Sequence, residues 1–349
     1  MGATVKNFIK QLGLPRLIIL ALFIALCITA VVLKQDFGLI SSDVIRRFGM
    51  FGVLALAMIP SIQCGTGPNF ALPIGVICGL LGALITIEFG LTSPALGRGF
   101  ISAVLIALPF AVASGLVYGM LLNRIKGSEM LVATYTGFSI VSFMQIGWVT
   151  LPFNHPEMVW PIGKGLRVTI ALDSSYGGVL NNFMAFYIGG TKIPTGLLLF
   201  FFGSCFIVWL FSRSKAGIAL RAAGDNPRFA AASGIDVDKN RIIGTVLSTV
   251  IGAIGIIVYS QSYGFLSLYL DPLYMAFPAV AAVLIGGAST RKARISHAII
   301  GVFLFQGILT VALPVANQMF PEGNLSEVLR MIVQNGIILY ALTKVGGEA

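Results

Sequence analysis

Apolar residues run along this chain in ten long blocks: 17–33, 48–64, 69–89, 100–123, 130–152, 195–211, 242–262, 271–289, 296–317 and 327–343. About 20 apolar residues are needed for a helix to cross a bilayer core. The pattern therefore predicts an all-α membrane protein with about ten transmembrane helices, and residues 1–349 read as a single transmembrane domain. Two stretches interrupt the pattern at membrane depth. One is Ser61-Ile-Gln63-Cys-Gly65-Thr66-Gly67-Pro68-Asn69, between the second and third blocks. The other runs from Ala282 to Thr290 and contains Gly286, Gly287 and Ser289. So few residues cannot make a solvent-exposed turn and leave both flanking helices at full length, so broken or re-entrant helices are expected. Unwound backbone at that depth is tolerated only when buried in protein or lining a cavity. The flanks Pro73–Ala83 and Pro278–Ala288 are similar, which predicts two related halves with one break each. Paired broken helices in repeated halves are a transporter feature.

Two polar stretches stand out between the blocks. The longer outer one, 153–194, holds Pro156, Pro161 and the pairs Gly177-Gly178 and Gly189-Gly190, and reads as an irregular cap with a short helix near 178–187. The other, 212–241, is a basic island in which a short helix is legible. Asn226 suits the N-cap, Pro227 the first helical position, and Gly234 the position just past the end. Between them Arg228, Phe229, Ala230, Ala231, Ala232 and Ser233 make roughly two turns with one large side chain. A compact helix of this kind has a shape that a second protein could grip. The competing reading is a solvated basic loop that only obeys topology.

Composition supports the membrane reading and adds an orientation. The chain is 57% apolar and 10% charged, with a mean hydropathy of +0.93. With the N-terminus inside, ten crossings return the C-terminus to the same side. The inner stretches then carry fifteen of the 23 Lys and Arg and five of the 13 acids, so the whole net charge of +10 lies inside. That is the positive-inside pattern, and it accounts for the basic balance without nucleic acid. Lys6, Lys10 and Arg16 precede the first block, which reads as an uncleaved helix. The four cysteines, Cys27, Cys64, Cys78 and Cys205, sit inside apolar blocks and read as packing residues rather than disulfide or metal ligands.

Catalytic chemistry needs converging titratable groups, and the sequence offers only His155 and His297 as histidines. No block holds Asp, Glu, Lys or Arg at its centre; Glu88 and Arg330 lie near block ends. No catalytic or metal-binding residues are assigned, and no phosphate-binding Gly-x-x-x-x-Gly-Lys-Ser/Thr loop occurs. Energy for active transport would have to come from another polypeptide. Neutral polar residues are plentiful in the blocks. They either hydrogen-bond between helices or line a neutral path for a hydroxyl-rich solute, for which the candidates are Gln63, Gly65, Thr66, Gly67, Asn69, Gln145, Gly286, Gly287 and Ser289.

The island carries a family likeness. Gly224-Asp225-Asn226-Pro227-Arg228-Phe229-Ala230-Ala231-Ala232-Ser233-Gly234-Ile235, following Arg213–Ala223, resembles the cytoplasmic coupling loop of ATP-binding-cassette importer permeases. The likeness is to the ribose and other monosaccharide permeases and the related nucleoside permeases. Asp271-Pro272-Leu273-Tyr274 with Ala279–Ser289 is similar to that family's second signature, and Leu54–Met58 through Gly65–Asn69 to its first broken helix. The resemblance covers most of residues 48–310. It implies a bacterial cytoplasmic (inner) membrane protein with both termini cytoplasmic, and a second permease copy or paralogue as dimer mate. It also implies two cytoplasmic subunits that bind ATP and Mg, no cofactor on this chain, and an external solute-binding protein. Asp225 to Ile235 would sit in a groove of the ATPase. The loop has Arg228-Phe229-Ala230 where many permeases have Glu-Ala-Ala, and the first break lacks the Gly-Gly-Ile-Asp-Leu-Ser form common among sugar permeases. The expected role is an importer subunit for a small polar solute, with a monosaccharide placed before a nucleoside. The rivals are a stand-alone carrier or channel and a membrane-embedded enzyme.

Overall fold

A computed structural model of the chain describes residues 14–92, 97–162, 165–319 and 325–346. The terminal charges Lys6 and Lys10 lie outside them. A helix occupies each of the ten apolar blocks, and the ends are set by local chemistry rather than by hydropathy. The first helices are α1 (Leu14–Val32), α2 (Phe37–Leu56) continued by α3 (Met58–Gln63), α4 (Leu72–Glu88), α5 (Arg98–Arg124) and α6 (Glu129–Thr150). After the cap come α8 (Thr195–Arg213), α9 (Lys215–Asp225), α10 (Pro227–Ala232) and α11 (Val237–Tyr263). The chain closes with α12 (Leu270–Tyr274), α13 (Ala276–Ile285), α14 (Ile295–Met319) and α15 (Leu325–Gly346). Six helical stretches are long and apolar enough to cross a membrane, namely Phe37–Gln63, α5, α6, α8, α11 and α14. Leu17–Val32, α4 and Leu270–Ile285 are shorter apolar helices.

The second block was expected to begin at 48, but its helix begins at Phe37. Asp36 is the N-cap: its Oδ1 accepts from the amides of Gly38 (2.9 Å) and Leu39 (3.1 Å). The ten added residues and Phe37 carry Asp43, Arg46 and Arg47 into a stretch that spans by length and composition. A boundary drawn where charges begin missed a helix whose start is fixed by a capping carboxylate.

The helix interruptions also lie elsewhere than expected. They fall at Ala57, between α2 and α3, and at Met275, between α12 and α13. Each lies three residues before a proline, Pro60 or Pro278, and the helix before it ends at the residue four back, Leu56 or Tyr274. Proline has no amide hydrogen, and its ring clashes with the carbonyl four residues earlier. The stretches 61–69 and 282–290 are helix ends instead. Pro73 and Pro278 both stand in the first turn of a helix, as the second residue of α4 and the third of α13.

The core is built on α11, which packs against α2, α3, α4 and α5. Small residues allow that approach. A Cβ on Gly75 would lie 2.4 Å from the Thr249 carbonyl oxygen, and one on Gly79 2.4 Å from that of Ala253. Close packing through small residues holds helices together where lipid supplies no hydrophobic drive. Helix α14 packs on α1, α2, α13 and α15. By contrast α5, α6 and α8 present exposed apolar rows, including Ile101, Leu105, Val117, Phe143, Ile146, Phe206 and Leu210.

The cap over 153–194 contains a four-residue helix, α7 (Val179–Asn182), where a longer one near 178–187 was expected. A hairpin of β2 (Phe186–Ile188) and β3 (Thr191–Ile193) takes up the rest. Strand β1 (Thr169–Ala171) pairs antiparallel with β4 (Phe265–Ser267), with Thr169 opposite Ser267. The Glu88 carboxylate accepts from the amides of Asn154 (3.1 Å) and His155 (3.0 Å), and the buried Gln261 Oε1 accepts from Leu180 N (3.1 Å). These bonds tie the cap to the ends of α4 and α11.

Candidate functional site

The island folds as the sequence signals direct, with one addition. Helix α9 precedes the expected short helix, capped by Ser214, whose Oγ accepts from Gly217 N (3.2 Å). Asn226 then caps α10 through Oδ1, which accepts from Phe229 N (3.1 Å), and Pro227 fills the first turn. Gly234, at φ +79°, closes it. The amide of Ile235 donates to Ala230 O (2.9 Å) and that of Gly234 to Ala231 O (3.0 Å), a Schellman end that needs a left-handed residue. Phe229 is 67% exposed and Arg228 is exposed beside it, whereas Ala230 is buried. A large aromatic ring thus stands outward on a rigid, double-capped turn.

The island does not hang free. A Cβ built on Gly224 would lie 2.1 Å from the Gln63 carbonyl oxygen and 2.8 Å from Gly65 N. Backbone therefore rests on backbone where α9 meets the end of α3. Gly65 and Gly67 have φ values of +85° and +79°, and α3 ends in the same Schellman bonding, Thr66 N to Ser61 O (3.3 Å) and Gly65 N to Ile62 O (3.1 Å). Helix α13 ends likewise at Gly287 (φ +100°), with Ala288 N donating to Val283 O (3.1 Å). The two ends meet: Gln63 Nε2 donates to Ala293 O (2.9 Å), and a Cβ on Gly67 would approach Thr290 O at 3.9 Å.

Most polar groups here are engaged in holding this junction. Ser61 Oγ donates to Gly67 O (2.7 Å), Thr66 Oγ1 to Ser61 O (2.9 Å), and Asn69 Nδ2 to Ser248 Oγ (2.9 Å). Ser289 Oγ accepts from Lys292 N (3.1 Å), and Gly286 packs against the His297 carbonyl on α14. Of the pathway candidates, Gln63 to Asn69 and Gly286 to Ser289 come together beside α9, while Gln145 lies apart, half-buried on α6. The same corner holds an ion pair, Arg241 Nη2 to Glu129 Oε1 at 2.6 Å, with side chains 9% and 16% exposed.

None of these candidates lines a polar cavity that lies elsewhere in the bundle. That cavity, of about 400 Å³, is bordered by Asp43, Arg47 and Phe51 of α2, Tyr259 and Tyr263 of α11, Gln306 and Thr310 of α14, and Glu327, Arg330 and Gln334 of α15. The sequence reading missed it because Arg47 was assigned to a polar stretch outside the second block. The available signals were the Asp36 cap and the one-turn spacing of Tyr259 and Tyr263. Arg47 and Gln63 lie on the same helical stretch, sixteen residues apart, which is about 24 Å at 1.5 Å per residue. Cavity and island thus sit toward opposite ends of one rod.

A multi-pass helical chain with a polar cavity among its helices has the architecture of a membrane permease. This chain belongs to the family described as the branched-chain amino acid transport system/permease component, whose model matches residues 40–342. Among curated relatives, the nucleoside ABC transporter permease protein NupB of Lactococcus lactis subsp. cremoris is 21% identical, over 76% of this chain and 70% of its own length. The galactofuranose transporter permease protein YtfT of Escherichia coli is 24% identical, over 87% of this chain and 83% of its own. The high-affinity branched-chain amino acid transport system permease protein LivH of Salmonella typhimurium is 23% identical, over 80% and 84%. No solved structure matches the chain.

Proposed function

We propose that the chain is the membrane subunit of an ATP-driven importer, forming the path of a small polar solute across a bacterial inner membrane. The solute is of monosaccharide or nucleoside size. It crosses a bundle of ten membrane helices whose two termini face the cytoplasm. ATP and Mg are bound by two cytoplasmic ATPase subunits, a second permease copy or paralogue completes the path, and an external binding protein delivers the solute. The names of the relatives, all permeases of transport systems for small polar solutes, support this reading. The observation that carries it is the contact of Gly224 with Gln63 and Gly65. A push on Phe229 or Arg228 reaches the cavity-lining stretch Phe37–Gln63 through backbone, with no flexible side chain between. Asp225 to Ile235 are the ATPase-facing residues, and Gln63 to Asn69 with Gly286 to Ser289 act as the hinge below the path.

Affinity capture of the tagged chain from its native membrane tests this. An ATPase subunit is expected to co-purify with the chain. Phe229→Ala, at an exposed position, should leave the thermal unfolding temperature unchanged and cut ATPase recovery at least about tenfold, as expected for loss of an aromatic hot spot. ATPase recovery at the wild-type level in both Phe229→Ala and the deletion of 226–235 would exclude the handle role.

A further inference from the structure

Both carboxylates bordering the cavity are already engaged, and one guanidinium is not. Asp43 accepts from Arg46 Nη2 at 2.8 Å. Glu327 holds Arg330 through both oxygens, one of them at 2.9 Å from Nε. Arg47 forms no ion pair among the described residues, and its Nε is buried without a hydrogen-bond partner. A charge withdrawn from water is costly unless paired and hydrogen-bonded. This one is kept on a helical stretch apolar enough to span a membrane, facing an open volume of about 400 Å³. The walls beside it are flat and apolar. Tyr259 and Tyr263 stack at 5.4 Å and 15°, and Phe51 meets Tyr259 edge-on at 5.1 Å. Gln306 and Gln334 add neutral donors and acceptors.

We propose that this cavity is the solute site and that its solute is a ring-bearing carboxylate, whose anionic group pairs with Arg47 while its ring lies on the tyrosine faces. The proposal rests on the importer reading and narrows it to one class of solute. A guanidinium fork matches a carboxylate with two parallel hydrogen bonds, and aromatic faces accept either an aromatic ring or the apolar face of a sugar ring. The volume is in the range of small-molecule sites, roughly 300–1,000 Å³. A neutral solute would leave Arg47 with no nearby counter-charge but Asp43, whose carboxylate is already bonded to Arg46.

The test uses the full chain in lipid nanodiscs and two probe pairs, benzoate with benzamide and glucuronate with glucose, followed by calorimetry. At least one carboxylate should bind at least about tenfold more tightly than its neutral counterpart, and which pair responds tells an aromatic acid from a sugar acid. Arg47→Gln should abolish the preference. Arg47→Lys should retain part of it, a graded rescue that a structural role for Arg47 would not produce. Arg46→Gln should weaken carboxylate binding, because Asp43 is then released to compete for Arg47. Equal binding of charged and neutral probes, no binding of either carboxylate, or a preference that survives Arg47→Gln overturns the proposal. If the ATPase still co-purifies while carboxylate selectivity is absent, only this proposal fails. If selectivity is present but no ATPase is captured, the importer reading fails and the site stands.

Discussion

A methyl group added at Gly224 has nowhere to go, since its position is 2.1 Å from the Gln63 carbonyl oxygen and 2.9 Å from the Cys64 carbonyl carbon. Those neighbours are backbone and cannot rotate aside. Gly224→Ala is therefore expected to lower stability in a detergent melt by about 1–3 kcal/mol, the usual range for overpacking, and to uncouple ATP hydrolysis from uptake. Gly203→Ala on α8 is the matched control, because a Cβ there meets nothing within 4 Å, so both readouts should stay near wild type. The caps at Asn226, Pro227 and Gly234 were legible in the sequence because a cap is a contract between residues a few positions apart. The tightness at Gly224 was not legible, because its partner lies some 160 positions earlier in the chain. The same holds for Arg47: that Asp43 would turn to Arg46 and leave its other neighbour unpaired is a matter of geometry, since either pairing suits the composition.

At the scale of elements, two prolines decide where the hydrogen bonding of the cavity-lining stretches is interrupted. Pro60→Ala restores an amide able to bond to the Leu56 carbonyl and removes the ring that clashes with it. It should leave or raise the melting temperature while reducing uptake, because the joint between handle and cavity stiffens. A loss of stability with uptake unchanged would show that the interruption serves packing alone. Two ion pairs bind α11 to the start of α6 and the turn before it, and burial separates them. Removing Arg241 from its pair with Glu129, at 9% and 16% exposure, should cost about 3 kcal/mol. Lys126→Met, which removes a pair 52% and 56% exposed, should cost no more than about 1 kcal/mol. Denaturation of Arg241→Met and Lys126→Met side by side checks the ranking. That each apolar block is helical was legible because apolar runs of that length have one structural solution in a membrane. Helix starts and interruptions were not read from those runs, since Asp36 and the two prolines act through single bonds that an averaged hydropathy erases.

For the whole molecule, the stretch Phe37–Gln63 borders the polar cavity at one end and meets Gly224 of the island at the other, and the proposed function assigns ATP hydrolysis to partner subunits. Purified protein in liposomes with an imposed solute gradient should therefore show no uptake above empty vesicles. Adding ATP together with the captured ATPase subunits, dimer mate and binding protein should produce it. Uptake by the chain alone would favour the carrier or channel. The sequence by itself determined the class of the molecule and the short double-capped helix, because those depend on composition and on neighbours along the chain. Only the tertiary structure decided that both glycine-rich ends meet beside α9, and that Arg47 and Arg330 border a cavity with Asp43 and Glu327. The reason is physical: burial and pairing are properties of surfaces brought together by folding, so a guanidinium assigned to an outer stretch in a linear reading comes to border a cavity with no ion pair among the described residues.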